Sequence, residues 1–594
     1  MSKFFPLAKD AGAHFWHDAP DKNGHHNLCP MGTCQEERTD RLLNRETMAV
    51  AVAGLLLFTV GLWDQEFTGF ETRFAVFARE MLRLGLSIFP KTYGEPYPDY
   101  PATSTLLIWL SSLPFGAVNR FTATLPTAIA SALNLALTYR LLCYVSRQWA
   151  FIAVCFELLT ATFLVEARAI SLDQMLATIT LACFVLAYRR DHQATTAQRP
   201  VLWIFILLVV GFSIRGPMGI VIPVGVLCSY YATTNQWRTV FKIGLPALAL
   251  LIACWFSMLF LARMEGGEAF VADVIRMQVT GRLSGGEGMP ARTYYLVNGL
   301  GAFALSLPVA MMVIVPVLLA AFPGLRIPYL KKENSASWEP SLRMATLLVA
   351  WLLVVLIGLS IPEAKKARYL LPAVPAMAAL AAYVFIAQGN RYLSAIHQVL
   401  QKLLLILPTV CGALVLLAEG YLKQHHPQIA LHSSVLLILL AACQLQQLLA
   451  LRARPAAQRD RMIVAVAVTA FWLTNVLLRE PAEIQLHSAR PFVQAVERLR
   501  AENPAPLVMY GIGRDSLAIA YHVNVDGEFQ PQFIDRPAQL AELSYPVYLL
   551  ISARNMAAMA GENATQPKPR WPAPVGHGLL RESEYSVYYL EHSP

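Results

Sequence analysis

The stretch TMAVAVAGLLLFTVGLW, residues 47–63, is a long apolar segment that runs directly into DQEFTGFETRFAVFAREM, residues 64–81. A membrane-spanning helix needs about 20 mostly apolar residues, and fewer where its ends are anchored. The first segment is therefore predicted to cross a membrane, and the second to emerge at its surface. Within the second, Glu71 precedes Arg73 by two residues. A carboxylate able to take a proton from a hydroxyl thus stands beside a cation able to hold a phosphate.

The composition of the whole chain indicates a polytopic α-helical membrane protein. Of its 594 residues, 56% are hydrophobic and 15% are charged, values outside the range of soluble globular domains. The net charge of +9 favours basic cytoplasmic loops over nucleic-acid binding, because lysine and arginine concentrate in the cytoplasmic loops of membrane proteins. Most of the nine cysteines lie in apolar segments, which is typical of small core residues.

Thirteen membrane spans are predicted from the apolar segments. With that count, the basic loops fall on one side, which places the N terminus in the cytoplasm and the C terminus outside. A shorter apolar run, 106–115, is bounded by prolines and is predicted to lie along the membrane interface. The predicted spans lie near residues 47–63, 121–143, 148–165, 172–188, 200–214, 217–231, 243–262, 298–322, 345–361, 369–387, 400–419, 430–450 and 461–478.

The predicted organisation has three parts. Residues 1–46 form a polar cytoplasmic tail, residues 47–480 form the transmembrane domain, and residues 481–594 form a small soluble domain on the outer side. Two long outer loops, 64–120 and 263–297, interrupt the otherwise short connections between spans.

The C-terminal part is predicted to have an α/β fold. Strands are expected at 506–510, 547–552 and 585–590, and helices at 491–500 and 537–543. The turn Gly511-Ile512-Gly513 follows the first of these strands, but the third glycine of a nucleotide-binding loop is missing. A simple turn is therefore favoured over a nucleotide site.

The N-terminal tail carries residue types that ligate zinc. Their spacing fits no strong zinc pattern, since no Cys-x-x-Cys is present, so a metal site and a disordered tail both stay open. The residues concerned are His14, His17, His25, His26, Cys29 and Cys34.

Charged residues at the predicted ends of spans are the remaining candidates for chemistry, because such groups are costly unless paired or functional. They occur in the link Glu166 to Asp173, in Arg215-Gly216-Pro217, and in Pro362 to Tyr369. The last of these places three cations on the outer side, against the usual bias, which favours an anionic partner such as a lipid phosphate. Structural ion pairs with Glu166, Asp173 or Glu363 are the alternative.

Four motifs in this order resemble those of bacterial polytopic glycosyltransferases of the protein-mannosyltransferase superfamily, which have the GT-C fold and include the aminoarabinose transferases of lipid A. The match extends over nearly the whole chain. The motifs are Glu71-Thr72-Arg73-Phe74-Ala75 with Arg79-Glu80-Met81, Ala167-Arg168 with Asp173-Gln174-Met175-Leu176, Arg215-Gly216-Pro217, and Ala367-Arg368-Tyr369-Leu370-Leu371-Pro372.

The resemblance implies a polyprenyl-phosphate-linked sugar as donor, and a glycolipid such as lipid A, or a protein, as acceptor. It implies reaction on the periplasmic side of a bacterial inner membrane, with inversion at the sugar carbon in one displacement. Cations would stabilise the departing lipid phosphate, where negative charge develops.

Site residues follow from the resemblance and from the charges together. Glu71 is the predicted base, and Asp64 and Asp173 are the other candidate catalytic carboxylates. Asp99 is the candidate metal ligand, although no spacing demands a divalent ion. The predicted donor-phosphate binders are Arg73, Arg168, Arg282, Lys365, Lys366 and Arg368.

Three positions depart from the family pattern. Phe70 stands where the family has the aspartate of an Asp-Glu pair, and Asp99-Tyr100-Pro101 stands where it has Glu-Lys-Pro. Arg215 stands where lysine is commoner. A lipid-linked sugar flippase and a non-catalytic accessory subunit are therefore the alternatives, although the internal repeat typical of transporters is not found.

Overall fold

The structure is a computed structural model that describes most of the chain. Residues Val50–Pro594 form one compact unit, and Met1–Ala49 form another. The described residues are 31–69, 72–192, 199–280, 293–321, 339–387, 390–427, 429, 433–452, 455–515, 517–525, 527–562, 571–580 and 583–593. The zinc hypothesis rests on side chains of the N-terminal tail that lie outside this description.

Helices occupy the region in which the sequence predicts spans. Among the described residues, eight helices are long and apolar enough to cross a membrane, or nine if one bent pair counts as a single span. The polytopic α-helical class is therefore confirmed. A helix lies at each of the thirteen predicted positions, but several are too short to meet the same criterion, so the count of thirteen stays a prediction.

The helices are numbered here in chain order. The first ten are α1 Met31–Thr59, α2 Arg73–Leu84, α3 Thr103–Ser112, α4 Arg120–Cys143, α5 Arg147–Leu159, α6 Ala161–Ala167, α7 Leu172–His192, α8 Arg199–Arg215, α9 Met218–Thr233 and α10 Trp237–Ile275. The others are α11 Tyr294–Ala302, α12 Ser306–Ala321, α13 Glu339–Ser360, α14 Val374–Tyr383, α15 Arg391–His425, α16 Ser433–Ala450, α17 Ala456–Thr474, α18 Glu480–His487, α19 Arg490–Glu502, α20 Leu517–His522 and α21 Ala553–Glu562.

Helices α5 and α6 form the bent pair, with an angle of 76° between them. At the break, the Thr160 hydroxyl donates to the Phe156 carbonyl at 2.8 Å and lies 2.7 Å from the Ser306 hydroxyl. The Thr162 hydroxyl donates to the Ala302 carbonyl at 2.7 Å. These bonds satisfy backbone groups that a bend would otherwise leave unpaired in an apolar surrounding, so the orientation of α6 is well defined.

The turn between α8 and α9 depends on two glycines. Gly216 has φ +58°, and a Cβ there would lie 2.3 Å from the Tyr100 ring. A Cβ on Gly219 would lie 2.0 Å from the carbonyl oxygen of Gly211. The two helices can therefore cross closely only where side chains are absent, and Arg215-Gly216-Pro217 is the tight connection between them.

The strands are β1 Lys91–Thr92 and β2 Glu95–Pro96 of the first outer loop, then β3 Leu507–Tyr510, β4 Gln532–Ile534, β5 Val547–Ser552, β6 Gly576–Leu580 and β7 Ser583–Leu590. The last five form one sheet in the C-terminal region. The order is β4-β3-β5-β7-β6, with β3 parallel to β4 and β5, and β7 antiparallel to β5 and β6. The three predicted strands are present, whereas β4 and β6 were not foreseen. The helix predicted at 491–500 is α19, and that predicted at 537–543 is a 3₁₀ helix.

The crossing of α8 and α9 predicts that Gly219→Ala destabilises the protein. The added methyl group would meet backbone atoms, which cannot rotate away, and overpacking of this kind costs about 1–3 kcal/mol. Thermal unfolding in detergent should show a lower midpoint. Gly358→Ala is the control, because a Cβ at that helical glycine meets nothing within 4 Å. Equal midpoints for the two variants would contradict the close crossing.

Candidate functional site

A cavity of about 170 Å³ lies between the first outer loop, the link after α6 and the start of α18. Its described walls carry four arginines and three glutamates, so it suits a strongly polar ligand. Gly69 and Thr72 lie in this wall, on either side of Phe70 and Glu71, which are outside the described residues. The lining residues are Phe67, Thr68, Gly69, Thr72, Arg120, Thr124, Val165, Glu166, Arg168, Ala169, Ile170, Arg368, Arg479, Glu480, Glu483 and Ile484.

A second cavity, of about 390 Å³, adjoins the first and has a more apolar wall. Val165, Glu166 and Arg368 line both cavities and therefore separate them. The remaining lining residues of the second cavity are Ala161, Thr162, Ala302, Lys366 and Ala367.

Arg168, predicted to bind phosphate, is held in a buried ion pair with Glu480. Its Nε lies 2.6 Å from Glu480 Oε1, and its Nη2 lies 2.9 Å from Oε2. Nη1 and Nη2 also donate to the carbonyls of Leu57 and Val60, at 2.9 and 3.0 Å. The guanidinium thus satisfies carbonyls at the end of α1 and the carboxylate that opens α18.

Asp173 lies between two arginines. Its Oδ1 is 2.8 Å from Arg215 Nε, its Oδ2 is 2.9 Å from Arg215 Nη2, and Oδ2 is also 3.3 Å from Arg368 Nε. The Arg215 guanidinium stands 5.3 Å from the centre of the Tyr369 ring. The structure therefore joins three of the predicted motifs in one ion-pair network, and it fixes Arg368 at the boundary of the two cavities.

Asp99 and Arg73 come together elsewhere in the first outer loop. The distance from Asp99 Oδ2 to Arg73 Nη2 is 3.2 Å, and Asp99 Oδ1 accepts bonds from Tyr100 N at 2.9 Å and Gln278 Nε2 at 3.3 Å. Neither Asp99 nor Arg73 lines a cavity described above. The part of the chain that the structure describes contains no group of three or more His, Cys, Asp or Glu residues able to hold a metal ion.

The basic cluster before α14 is divided by the fold. Lys365 is buried and its Nζ donates to the Pro362 carbonyl at 2.6 Å. Lys366 is half-buried and lines the second cavity with Arg368. Lys366 and Arg368 therefore line the second cavity, whereas the ammonium group of Lys365 bonds to a backbone carbonyl.

Of the remaining predicted residues, Asp64 is described and lines neither cavity. Asp64 is exposed, and the carboxylate of the neighbouring Glu66 accepts a bond from Ser488 Oγ at 2.6 Å. Glu71 and Arg282 lie outside the described residues, so their predicted roles stay predictions.

Sequence reasoning missed four charged residues of the first cavity. Arg120 begins α4 and donates to the Glu66 carbonyl, and Glu480 opens α18. Arg479 pairs with Glu483 one turn along the same segment. Charges placed directly beside an apolar span were the available signal, because groups at such positions are usually paired or functional.

Helix α2, which follows Glu71 in the chain, is anchored on the C-terminal region. Arg79 Nη1 donates to the Val523 carbonyl at 2.6 Å, and Arg83 Nη1 lies 3.1 Å from Glu528 Oε1. The first outer loop and the C-terminal region therefore lie on the same side of the membrane helices.

The Gly511-Ile512-Gly513 turn belongs to the same contact. The carbonyl of Arg514 accepts a bond from the Tyr93 hydroxyl at 3.1 Å, and the carboxylate of Asp515 accepts one from Tyr97. Residues that directly follow the turn thus hold the first outer loop.

His522 is buried within this contact. Its ring stacks on Tyr93 with 5.2 Å between centroids, and its Nε2 lies 4.0 Å from Glu80 Oε1. Burial, followed by the nearby guanidinium groups of Arg79 and Arg83, lowers the pKa of His522 to about 3. The imidazole is therefore neutral at physiological pH.

Residues 48–263 match the family model described as dolichyl-phosphate-mannose-protein mannosyltransferase. Undecaprenyl phosphate-alpha-4-amino-4-deoxy-L-arabinose arabinosyl transferase 2 of Proteus mirabilis is 26% identical over 327 residues, which are 54% of this chain and 55% of that protein. A transferase 1 of the same description, from Pseudomonas fluorescens, is 25% identical over 390 residues, 63% of this chain and 64% of that protein. The chain thus matches between about half and two thirds of these relatives' length.

The crystal structure of ArnT from Cupriavidus metallidurans in the apo state has a TM-score of 0.67 with this chain, at 14% identity, over 92% of this chain and 98% of that one. The protein has the GT-C fold. The structure of the same ArnT bound to undecaprenyl phosphate has a TM-score of 0.66 at 16% identity, over 91% of this chain and 97% of that one. The GT-C fold and the similarity to aminoarabinose transferases, both expected from the four motifs, are confirmed.

In this GT-C protein, Arg168→Gln should be strongly destabilising. The change leaves the Glu480 carboxylate buried without its cation, and breaking a buried pair in this way costs about 3–5 kcal/mol. Thermal unfolding in detergent measures the loss. Arg263→Gln is the control, since Arg263 and Glu268 form a pair with 68% and 73% of their side chains exposed. A midpoint for Arg168→Gln as high as that of the control would contradict the assigned pair.

The buried His522 predicts a pH-dependent stability. Because the folded pKa lies below the ordinary value of 6.5, the unfolded chain binds the extra proton first. The contribution of neutral His522 to the free energy of unfolding is therefore complete above pH 6.5. It is lost as the pH falls from 6.5 toward 3, by up to about 1.4 kcal/mol per pH unit. Unfolding midpoints at pH 7.5, 6.0 and 5.0, compared between wild type and His522→Phe, should show a smaller pH dependence in the variant. Parallel curves would contradict a neutral His522.

Proposed function

We propose that the protein is a membrane glycosyltransferase that moves a sugar from a polyprenyl phosphate carrier to a hydroxyl of a glycolipid, such as lipid A, or of a protein. The similar curated proteins are named as arabinosyl transferases of an undecaprenyl phosphate-linked aminoarabinose, and the similar ArnT was crystallised with undecaprenyl phosphate. These relatives support the class of donor, while the sugar and the acceptor of this chain are left to experiment.

The observation that carries the proposal is the pair of adjoining cavities separated by Glu166 and Arg368. A transfer between two lipid-borne substrates needs two binding sites that meet at the reacting carbon. The second cavity, with its apolar wall and the cations Lys366 and Arg368, suits the lipid phosphate of the donor. The first cavity, with its mixed charges, suits the acceptor.

The proposed reaction is a single inverting displacement. Glu71 accepts the proton of the acceptor hydroxyl, whose oxygen forms a bond to the anomeric carbon of the sugar. The bond from that carbon to the phosphate oxygen breaks, and its electron pair leaves with the polyprenyl phosphate. Lys366 and Arg368 stabilise the negative charge on this leaving group. The placement of Gly69 and Thr72 in the cavity wall supports the assignment of Glu71.

Other predicted residues take supporting roles in this proposal. Asp173 holds Arg368 in place, and Lys365 bonds to the backbone of the same segment. Asp64 is the alternative to Glu71 as the carboxylate of the first outer loop. Arg282 is assigned to the donor phosphate from the sequence alone. Arg73 is likewise assigned to the donor phosphate from the sequence alone, and it pairs with Asp99 outside the two cavities.

Asp99 is the predicted ligand of a divalent ion, and its neighbours show whether a metal ion would fit there. Its carboxylate oxygens already face Arg73, Gln278 and the Tyr100 amide, and a metal ion would need these oxygens as ligands. The residues present fit a metal poorly, so no step of the reaction is assigned to one.

The proposed location is the inner membrane of a bacterium. The tail 1–46 is cytoplasmic, the region 47–480 spans the membrane, and the domain 481–594 is periplasmic. The contact between Arg79 and Val523 supports this orientation, because it requires the first outer loop and the C-terminal domain to share a side.

The test measures release of polyprenyl phosphate. Purified protein is incubated with polyprenyl phosphate sugars and an acceptor glycolipid, and the lipid product is quantified by mass spectrometry. Wild type should release polyprenyl phosphate and Glu71→Gln should be slower by about 10²-fold or more, because a general base contributes roughly that factor. Donor binding without any release would contradict the proposal and favour a flippase or an accessory subunit.

The phosphate assignment has its own test. Lys366→Gln should weaken binding of polyprenyl phosphate about tenfold, since a charge-assisted bond to phosphate is lost. Lys423→Gln is the control, because Lys423 is exposed and pairs with Glu419 on its own helix. Binding is followed by tryptophan fluorescence in detergent. Equal affinities for the two variants would remove Lys366 from the donor site.

A further inference from the structure

Glu166 is the one acidic residue that lines both cavities among the described residues. It lies in the last turn of α6, and its side chain is half-buried. The phosphate-binding Lys366 and Arg368 share the second cavity with it. A carboxylate therefore stands at the junction where donor and acceptor must meet.

The other acidic residues of the first cavity, Glu480 and Glu483, line that cavity alone. Glu480 is bound through both oxygens to Arg168, and it also accepts a bond from Asn475 Nδ2 at 3.3 Å. Glu483 forms an ion pair with Arg479, and neither Glu480 nor Glu483 reaches the second cavity. Position alone thus distinguishes Glu166.

Helix α6 gives Glu166 a defined position. Thr162, one helical turn before it, is bonded to the Ala302 carbonyl and lines the same second cavity. The hydroxyl of Thr160 holds the bend at Ser306. A charge fixed before the reaction acts on the transition state without reorganisation, which is the condition for electrostatic catalysis.

We propose that Glu166 is a catalytic residue that stabilises the positive charge developing on the anomeric carbon and ring oxygen during transfer. This inference rests on the proposed glycosyltransferase function. Displacement at a sugar carbon passes through an oxocarbenium-like transition state, so the departing phosphate and the sugar ring acquire opposite charges. Lys366 and Arg368 face the first charge, and Glu166 faces the second.

Glu166 forms no covalent bond and takes no proton in this step. The acceptor oxygen bonds to the anomeric carbon, its proton goes to Glu71, and the bond to the phosphate oxygen breaks with its electron pair. The contribution of Glu166 is the attraction between its fixed charge and the transient positive charge of the sugar.

The role predicts opposite effects on binding and on rate. Removing a negative charge beside the phosphate site leaves the affinity of Glu166→Gln for polyprenyl phosphate unchanged or increases it. The same variant should transfer sugar about 10²-fold more slowly at saturating donor, since loss of one electrostatic group costs about that factor. Glu166→Asp should recover part of kcat, because it restores the charge at a slightly greater distance.

The experiment compares wild type, Glu166→Gln and Glu166→Asp, with Glu268→Gln as an exposed-carboxylate control. It measures kcat between pH 5.5 and 8.5, polyprenyl phosphate affinity and thermal midpoint. We expect a lower kcat at every pH for Glu166→Gln, with an unchanged pH profile and an affinity for polyprenyl phosphate at least as high as that of wild type.

Three results would overturn the inference while leaving the proposed function intact. The first is a kcat of Glu166→Gln close to that of the control. The second is loss of the acidic limb of the pH profile, because that would make Glu166 a base. The third is weaker donor binding together with a lower thermal midpoint, because that would give Glu166 a structural role. If wild type itself releases no polyprenyl phosphate, the proposed function and this inference both fail.

Discussion

The Arg168–Glu480 pair is the interaction on which the site depends. Arg168 comes from the link after α6, Glu480 follows the last long helix, and the two carbonyls bound by Arg168 end α1. One buried guanidinium therefore joins three segments that are far apart in the chain. In a low-dielectric surrounding such a charge is tolerated only when its donors are satisfied, so the three segments have one arrangement in which they can meet. Arg168 and Glu480 in this arrangement line the first cavity.

A second network controls the boundary between the cavities. Asp173 binds Arg215 through both oxygens and Arg368 through one, so the turn after α8 and the segment before α14 are tied to the start of α7. The glycines of the α8–α9 turn allow Arg215 to approach, because side chains there would clash with Tyr100 and with Gly211. Packing of backbone against backbone thus determines where the cations of the site stand.

Much of the fold was predictable from the sequence, since apolar length and composition specify membrane helices well. The three strands predicted in the C-terminal region were also found, because their residues alternate or run apolar between turn signals. The partners of the charged residues were not predictable. Arg168 reads equally well as a phosphate binder or as half of an ion pair, and only the fold brings Glu480 to it from 312 positions along the chain. The bend at Thr160 likewise left no signal of its own.

Phe70 stands where the glycosyltransferases that this chain resembles have an aspartate, so its first outer loop has one carboxylate fewer than theirs. A transfer reaction of this kind needs negative charge near the sugar and positive charge near the phosphate, whichever elements supply them. Loss of one carboxylate from the first outer loop leaves that requirement unchanged. In this chain the cavity wall already holds Glu166 at the junction of the two cavities, on a helix fixed by the bonds of Thr160 and Thr162. In the proposed reaction, Glu166 therefore supplies from α6 the negative charge that the missing carboxylate of the first outer loop would have provided.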